Sequence, residues 1–241
     1  MTWMTERLGD LCTTSSGGTP SRGVLEFFGG PIPWAKISDL NVHDGIVLET
    51  EESISEAGLR AIGDRLFGRG TIMLAMYGSV GKLAIAGREL SANQAILGIV
   101  PRDERCLSSR YLRWWLAYVQ PKLANDARGV TQANISKALV DDLRVPLPPI
   151  EEQRRIAAIL DKADAIRRKR QDALALTDQL LRSTFLEMFG DPVSNPKGWP
   201  VVPIGNVIST IEAGWSASGE ARACSDGEWG VLKVSAVSTG R

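Results

Sequence analysis

From Glu151 to Met188 the chain contains neither proline nor glycine, and apolar residues recur along it at a period close to 3.5. Those positions are Ile156, Ile159, Leu160, Ala163, Ile166, Ala173, Leu174, Leu180, Leu181, Phe185 and Met188, interrupted by Arg167, Arg168, Lys169 and Arg170. This spacing predicts one helix of about 57 Å at roughly 1.5 Å per residue. A mid-sized domain cannot cover an apolar stripe of that length, so a second helix must lie along it.

The flanks differ in texture. Residues 1–149 mix short β-like runs with glycine turns and predict a mixed α/β (α+β) domain. Gly70–Ala86 reads as two strands about a Gly78–Gly81 turn, and Gln94–Val100 as a buried strand ending at Pro101. From Ser109 to about Asp126, Tyr111, Leu112, Trp115, Leu116 and Val119 predict an amphipathic helix, and Asn134 or Ser136 caps a short helix towards Leu139. The prolines of Val145-Pro-Leu-Pro-Pro-Ile150 close the domain. Residues 150–189 form the long helix, 190–198 a turn-rich linker, and 199–241 a fourth segment.

That last segment echoes the first. Trp3, Leu8, Gly9 and Leu11 match Trp199, Ile204, Gly205 and Val207 at an offset of 196, and Lys36 and Ser38 match Lys233 and Ser235 at 197. The expectation is the start of a second copy that, ending at Arg241, is too short to complete the same core and is partly disordered or propped by crystal or oligomer contacts.

Several chemistries lack their residues. With His43 as the one histidine, reading as a loop residue beside Asp44-Gly45, no Ser/His/Asp or Cys/His arrangement can be assembled without it. Gly78-Ser-Val-Gly-Lys82 superficially resembles a phosphate-binding loop, but it lacks the first glycine and carries Leu83 where Ser or Thr would hold magnesium, so it reads as a hairpin tip. Cys12, Cys106 and Cys224 lie too far apart for a zinc spacing or a disulfide framework. No metal site, no cofactor on this chain and no catalysis by it are expected. No 18-residue apolar run and no secretory start are seen, which predicts a cytoplasmic protein without a membrane span.

The formal net charge is zero, yet the charge is unevenly distributed. Seven acids face one base, Lys36, from Glu26 to Glu56; five bases face Asp64 from Arg60 to Arg88. A basic side can therefore form on a neutral protein, although a solvated surface is the commoner explanation.

The motif order resembles the specificity (S) subunit of Type I restriction-modification systems. The residues that carry the likeness are Ser16-Gly-Gly-Thr-Pro-Ser21, Gly29-Gly-Pro-Ile-Pro-Trp34 with Lys36-Ile-Ser-Asp-Leu40, the Gly70–Gly81 hairpin, Asn93-Gln94 and Gly129-Val-Thr-Gln-Ala-Asn-Ile135. Pro146-Leu-Pro-Pro-Ile-Glu-Glu-Gln-Arg-Arg-Ile156 and Phe189–Trp199 complete the series.

The resemblance implies a target recognition domain reading one part of a split double-stranded DNA site, followed by a coiled-coil-type spacer helix. It implies methyltransferase (M) subunits carrying S-adenosylmethionine as partners, with a motor-nuclease (R) subunit joining for cleavage. Because a second recognition domain and second helix are missing, a half subunit is expected. It would form a homodimer with antiparallel helices paired through Ile156, Ile159, Leu160, Ala163, Ile166, Leu174, Leu181 and Met188.

Polar residues in the glycine-rich loops are the DNA-binding candidates: Thr19, Ser21, Lys36, Ser38, Tyr77, Ser79, Lys82, Arg128, Thr131 and Gln132. Turn formation and capping account for about half of such positions, and Asn93 and Gln94 are expected to satisfy backbone groups. Arg167–Arg170 touch phosphates, hold the methyltransferase or stay solvated. The rival reading is an interaction protein that occupies the docking helices without reading DNA.

Overall fold

The computed structural model describes residues 3–77, 81–128, 135–214 and 227, with the side chains of 124–128 outside that description. Ser79, Thr131, Gln132, the side chain of Arg128 and the Lys233–Ser235 echo therefore lie outside the described residues. The chain forms two compact units, Met1–Asp178 and Gln179–Arg241.

The first unit begins with β1 (Thr5–Arg7), α1 (Leu8–Leu11) and β2 (Cys12–Ser16), then β3 (Phe28–Ala35), β4 (Ile46–Val47) and β5 (Glu52–Ile54). After α2 (Glu56–Ala61) come β6 (Ile72–Ala75), β7 (Leu83–Ala86), β8 (Ser91–Ala92) and β9 (Ile96–Pro101). α3 (Ser109–Arg128), α4 (Lys137–Asp141), β10 (Arg144–Pro146) and α5 (Ile150–Phe189) follow.

A five-stranded sheet of order β2-β9-β6-β7-β4 carries the core. Its central strands are covered on both faces, which is why they read as unbroken apolar runs. Side chains alternate along them. Ile72, Leu74, Leu97 and Ile99 face a cluster with Tyr111, Leu112 and Leu116 of α3, while Met73, Ala75 and Ile96 face Leu40, Val47, Phe67 and Leu90. The expected hairpin is β6–β7, the expected strand is β9 and the expected helix is α3. Ser136 is the residue that caps α4, its hydroxyl accepting from the Leu139 amide.

A second sheet, of order β5-β3-β8, is not among the elements that the sequence pattern predicts. β3 contains Pro31 and Pro33, which disfavour a ladder. It accommodates them with a register shift between Phe28 and Ile32. Gly17 enters beside this sheet so closely that a Cβ would lie 2.1 Å from the Ala92 carbonyl oxygen, so only glycine fits. β1 pairs antiparallel with β10, tying the start of the chain to the residues just before α5.

α5 confirms the long-helix expectation to within a residue at each end. Its first turns belong to the globular core. Gln153 is 1% exposed, Ala157 is buried and Ile156 packs against the cluster of Leu8 and Leu112. Ile156, expected in the pairing seam, is thus half-buried where the helix is anchored to the core. Further along, Ile166, Leu174, Leu181 and Met188 are 57–69% exposed.

In the second unit, α5 ends in a cap built by the linker. Gly190, at φ +80°, donates its amide to the Leu186 carbonyl. The Lys197 ammonium donates to the carbonyls of Glu187 and Met188, and the Trp199 indole to that of Phe189 at 2.8 Å. These carbonyls are orphaned by the helix end, and the linker supplies their donors.

Candidate functional site

The polar loop candidates among the described residues fall into two groups joined by one 3-10 turn. The first surrounds the Gly17–Arg22 loop. Trp34, 1% exposed on β3, donates its indole N–H to the Gly18 carbonyl at 2.9 Å, and Arg65 donates to the Gly17 carbonyl at 2.8 Å. Thr19 and Ser21 are exposed on the loop so held. The Thr19 hydroxyl donates to the side chain of Gln94, so Gln94 meets a side chain and not the backbone group expected of it. Asn93 behaves as expected, accepting from the Ala95 amide at 3.2 Å. An open recess of about 540 Å³ lies here, lined by Gly18, Thr19, Ile62, Gly63, Arg65 and Gln94 among others.

Lys36 is already engaged. Its ammonium lies 2.8 Å from the Glu51 carboxylate and 2.9 Å from that of Glu52, and these bonds push its pKa up. Glu52 also accepts from Arg22, and these bonds hold its carboxyl below the usual range. The sequence separates these charges; the pairing of Trp34 with Glu52 across β3–β5 brings them together.

The second group follows at once. The turn Ile37–Leu40 is held by Asp39, whose carboxylate accepts from the Lys36 and Glu51 amides. It leaves Ser38 exposed and presents Asn41, whose side-chain oxygen accepts from Lys82 at 2.6 Å. Tyr77, 37% exposed, stands at the end of the same hairpin. Lys36 and Ser38 thus link the Thr19–Ser21 loop to the Tyr77–Lys82 hairpin. His43 sits on the adjoining loop with its Nε2 3.1 Å from Asp172 of α5.

Where the globular part meets α5, Asp161 takes donors from α3: Arg110 to one oxygen, and the Trp114 indole at 2.8 Å to the other. Burial pushes this carboxyl up, but the Arg110 and Trp114 bonds outweigh it and hold it below the usual range. Farther along α5, Arg167 pairs with Asp164 and Gln171, and Arg168 with Asp164. No described helix is long and apolar enough to cross a membrane.

The model of the Type I restriction modification DNA specificity domain matches residues 1–176. The chain belongs to this family. It is 26% identical over 231 residues to the Type I restriction enzyme MjaIX specificity subunit of Methanocaldococcus jannaschii, covering 89% of this chain and 53% of that one. Against the EcoR124I/EcoR124II specificity subunit of Escherichia coli the identity is 26%, over 68% and 41% of the two chains.

Among solved structures, a chain from a type I R-M system aligns with a TM-score of 0.61 at 24% identity, covering 77% of this chain and 45% of that one. The HsdS subunit from Thermoanaerobacter tengcongensis aligns at 0.53 and 25% identity, over 73% and 40%. A recognition-domain fold followed by a long helix is thus shared with these structures. This family member spans about half the length of the MjaIX subunit.

Proposed function

We propose that this chain is a DNA-recognition subunit of a type I restriction-modification system that catalyses nothing alone. It acts in the cytoplasm, where it reads one part of a split site on double-stranded DNA and carries methyltransferase subunits to it. Those subunits hold the S-adenosylmethionine, and a motor-nuclease subunit joins for cleavage. Residues 1–149 form the reading domain, 150–189 the spacer, 190–198 a linker, and 199–241 the beginning of a second domain.

The observation that carries this reading is a specificity-domain match joined to an apolar helix face left exposed from Ile159 to Met188. A contiguous exposed stripe of that kind marks an interface. Two copies pairing antiparallel along it make a twofold reader, which requires a site with twofold-related halves. The reading edge comprises Thr19, Ser21, Lys36, Ser38, Tyr77, Ser79, Lys82, Arg128, Thr131 and Gln132. Among these, Lys82 already holds a partner that DNA must displace, while Lys36 is paired with Glu51 and Glu52.

Methylation-motif mapping in cells with and without the chain is the test. The expected result is a bipartite adenine motif with symmetric halves that disappears with the chain. Lys82→Ala and Arg128→Ala in the assembled complex should weaken DNA binding and flatten its salt dependence by about 0.9 each. Methylation unaffected by losing the chain would instead favour an interaction protein that modulates the enzyme without reading DNA.

A further inference from the structure

Arg22 follows the Gly17–Pro20 turn and is the one cation of this loop. Its guanidinium carbon lies 4.7 Å from the centre of the Phe28 ring and 5.0 Å from that of Trp34. The two rings meet edge to face at 75°, and Trp34 is fully buried, so the wall behind the guanidinium is fixed. In front of it, Glu52 accepts from both terminal nitrogens. The side chain nevertheless remains 55% exposed.

The arrangement is a planar fork, stacked on aromatic rings and presented to a two-oxygen acceptor. Guanine in the major groove offers the same pair of acceptors through O6 and N7, and a phosphate offers it through two oxygens. Stacking keeps the fork ordered when its acceptor is exchanged, so little rotamer freedom is lost on binding DNA. Lys36 stays beside Glu52 and Glu51 and can take the carboxylate that Arg22 releases. At rest, two cations and two carboxylates cancel, which suppresses attraction to arbitrary DNA.

We propose that Arg22 is a DNA-contacting residue that exchanges Glu52 for a two-acceptor edge of the target, with Glu52 restraining non-specific binding. This rests on the reading of the chain as a DNA-recognition subunit. It adds a residue outside the loop candidates and a role for the acidic run Glu49–Glu56.

The experiment uses the complex with its methyltransferase subunits, a duplex bearing the mapped motif and a random duplex, titrated across a salt series. If a base edge is the acceptor, Arg22→Ala lowers affinity for the motif roughly 5- to 150-fold and relaxes the methylated motif at one G·C pair. Arg22→Lys, which keeps the charge and loses the fork, does not restore it. If a phosphate is the acceptor, Arg22→Ala weakens both duplexes alike and lowers the salt slope by about 0.9, and Arg22→Lys restores both.

Glu52→Gln raises affinity for the random duplex and steepens its salt dependence. Arg22→Ala complexes that melt like wild type and keep wild-type affinity, motif and salt slope overturn the contact. Unchanged random-duplex binding by Glu52→Gln overturns the restraint. A wild-type complex without sequence selection overturns the functional reading itself, before any variant is compared.

Discussion

Gln153 shows how one side chain joins three segments. Its carbonyl oxygen accepts from the Ser108 amide at 3.0 Å, and its amide donates to the Cys106 and Pro148 carbonyls at 2.9 Å. The Ser108 and Pro148 bonds are removed from water, where an unpaired backbone group costs about 1–3 kcal/mol, and the Cys106 bond is part-buried. Gln153→Leu should destabilise the fold by on the order of 3 kcal/mol, read as a lower urea midpoint. Asp161 makes a pH prediction. Because its folded pKa is depressed, its stabilisation is complete above the unfolded value of about 3.9 and is lost as pH falls through the folded value. Asp161→Asn should therefore cost stability at pH 7, with the gap to wild type closing in acid melts below about pH 4.

At the scale of elements, legibility followed locality. α5, α3 and the β6–β7 hairpin obey periodicities contained within their own residues. β3 broke the rule because its partners β5 and β8 lie far along the chain and override two prolines. The Arg22 cluster was invisible for the same reason: its aromatic wall and its carboxylates become neighbours only when β3 pairs with β5. In sequence the acidic run shows only as uneven charge, whereas in the fold its Glu51 and Glu52 lie against Arg22 and Lys36. The apolar stripe of α5 was legible, but the extent of its anchored turns was not, since only packing shows Ile156 half-buried against the core. Leu174→Asp combined with Leu181→Asp should convert the proposed dimer to a monomer in sedimentation while leaving the thermal melt of the Met1–Asp178 unit nearly unchanged, both side chains being exposed.

For the whole molecule, the proposed pairing makes α5 a spacer. In that antiparallel pair the two N-terminal domains would sit at opposite ends, so lengthening α5 would move them apart. Seven residues inserted after Arg170 keep the apolar period and add about 10 Å. The methylated motif should then gain about 3 base pairs between its halves, at roughly 34–36 Å per turn of 10–10.5 pairs. An unchanged gap would show that α5 does not set the separation.

The linker that finishes α5 fixes where other sequence could be joined to this helix without loosening it. Lys197 and Trp199, with Gly190, close the last turn of the rod, so the rod carries its own stopper in the residues that follow it. A crossover that swaps everything downstream of Trp199 inherits a finished end, whatever head is grafted there. A breakpoint at Gly190 strips the stopper and lets the tip of the rod unravel.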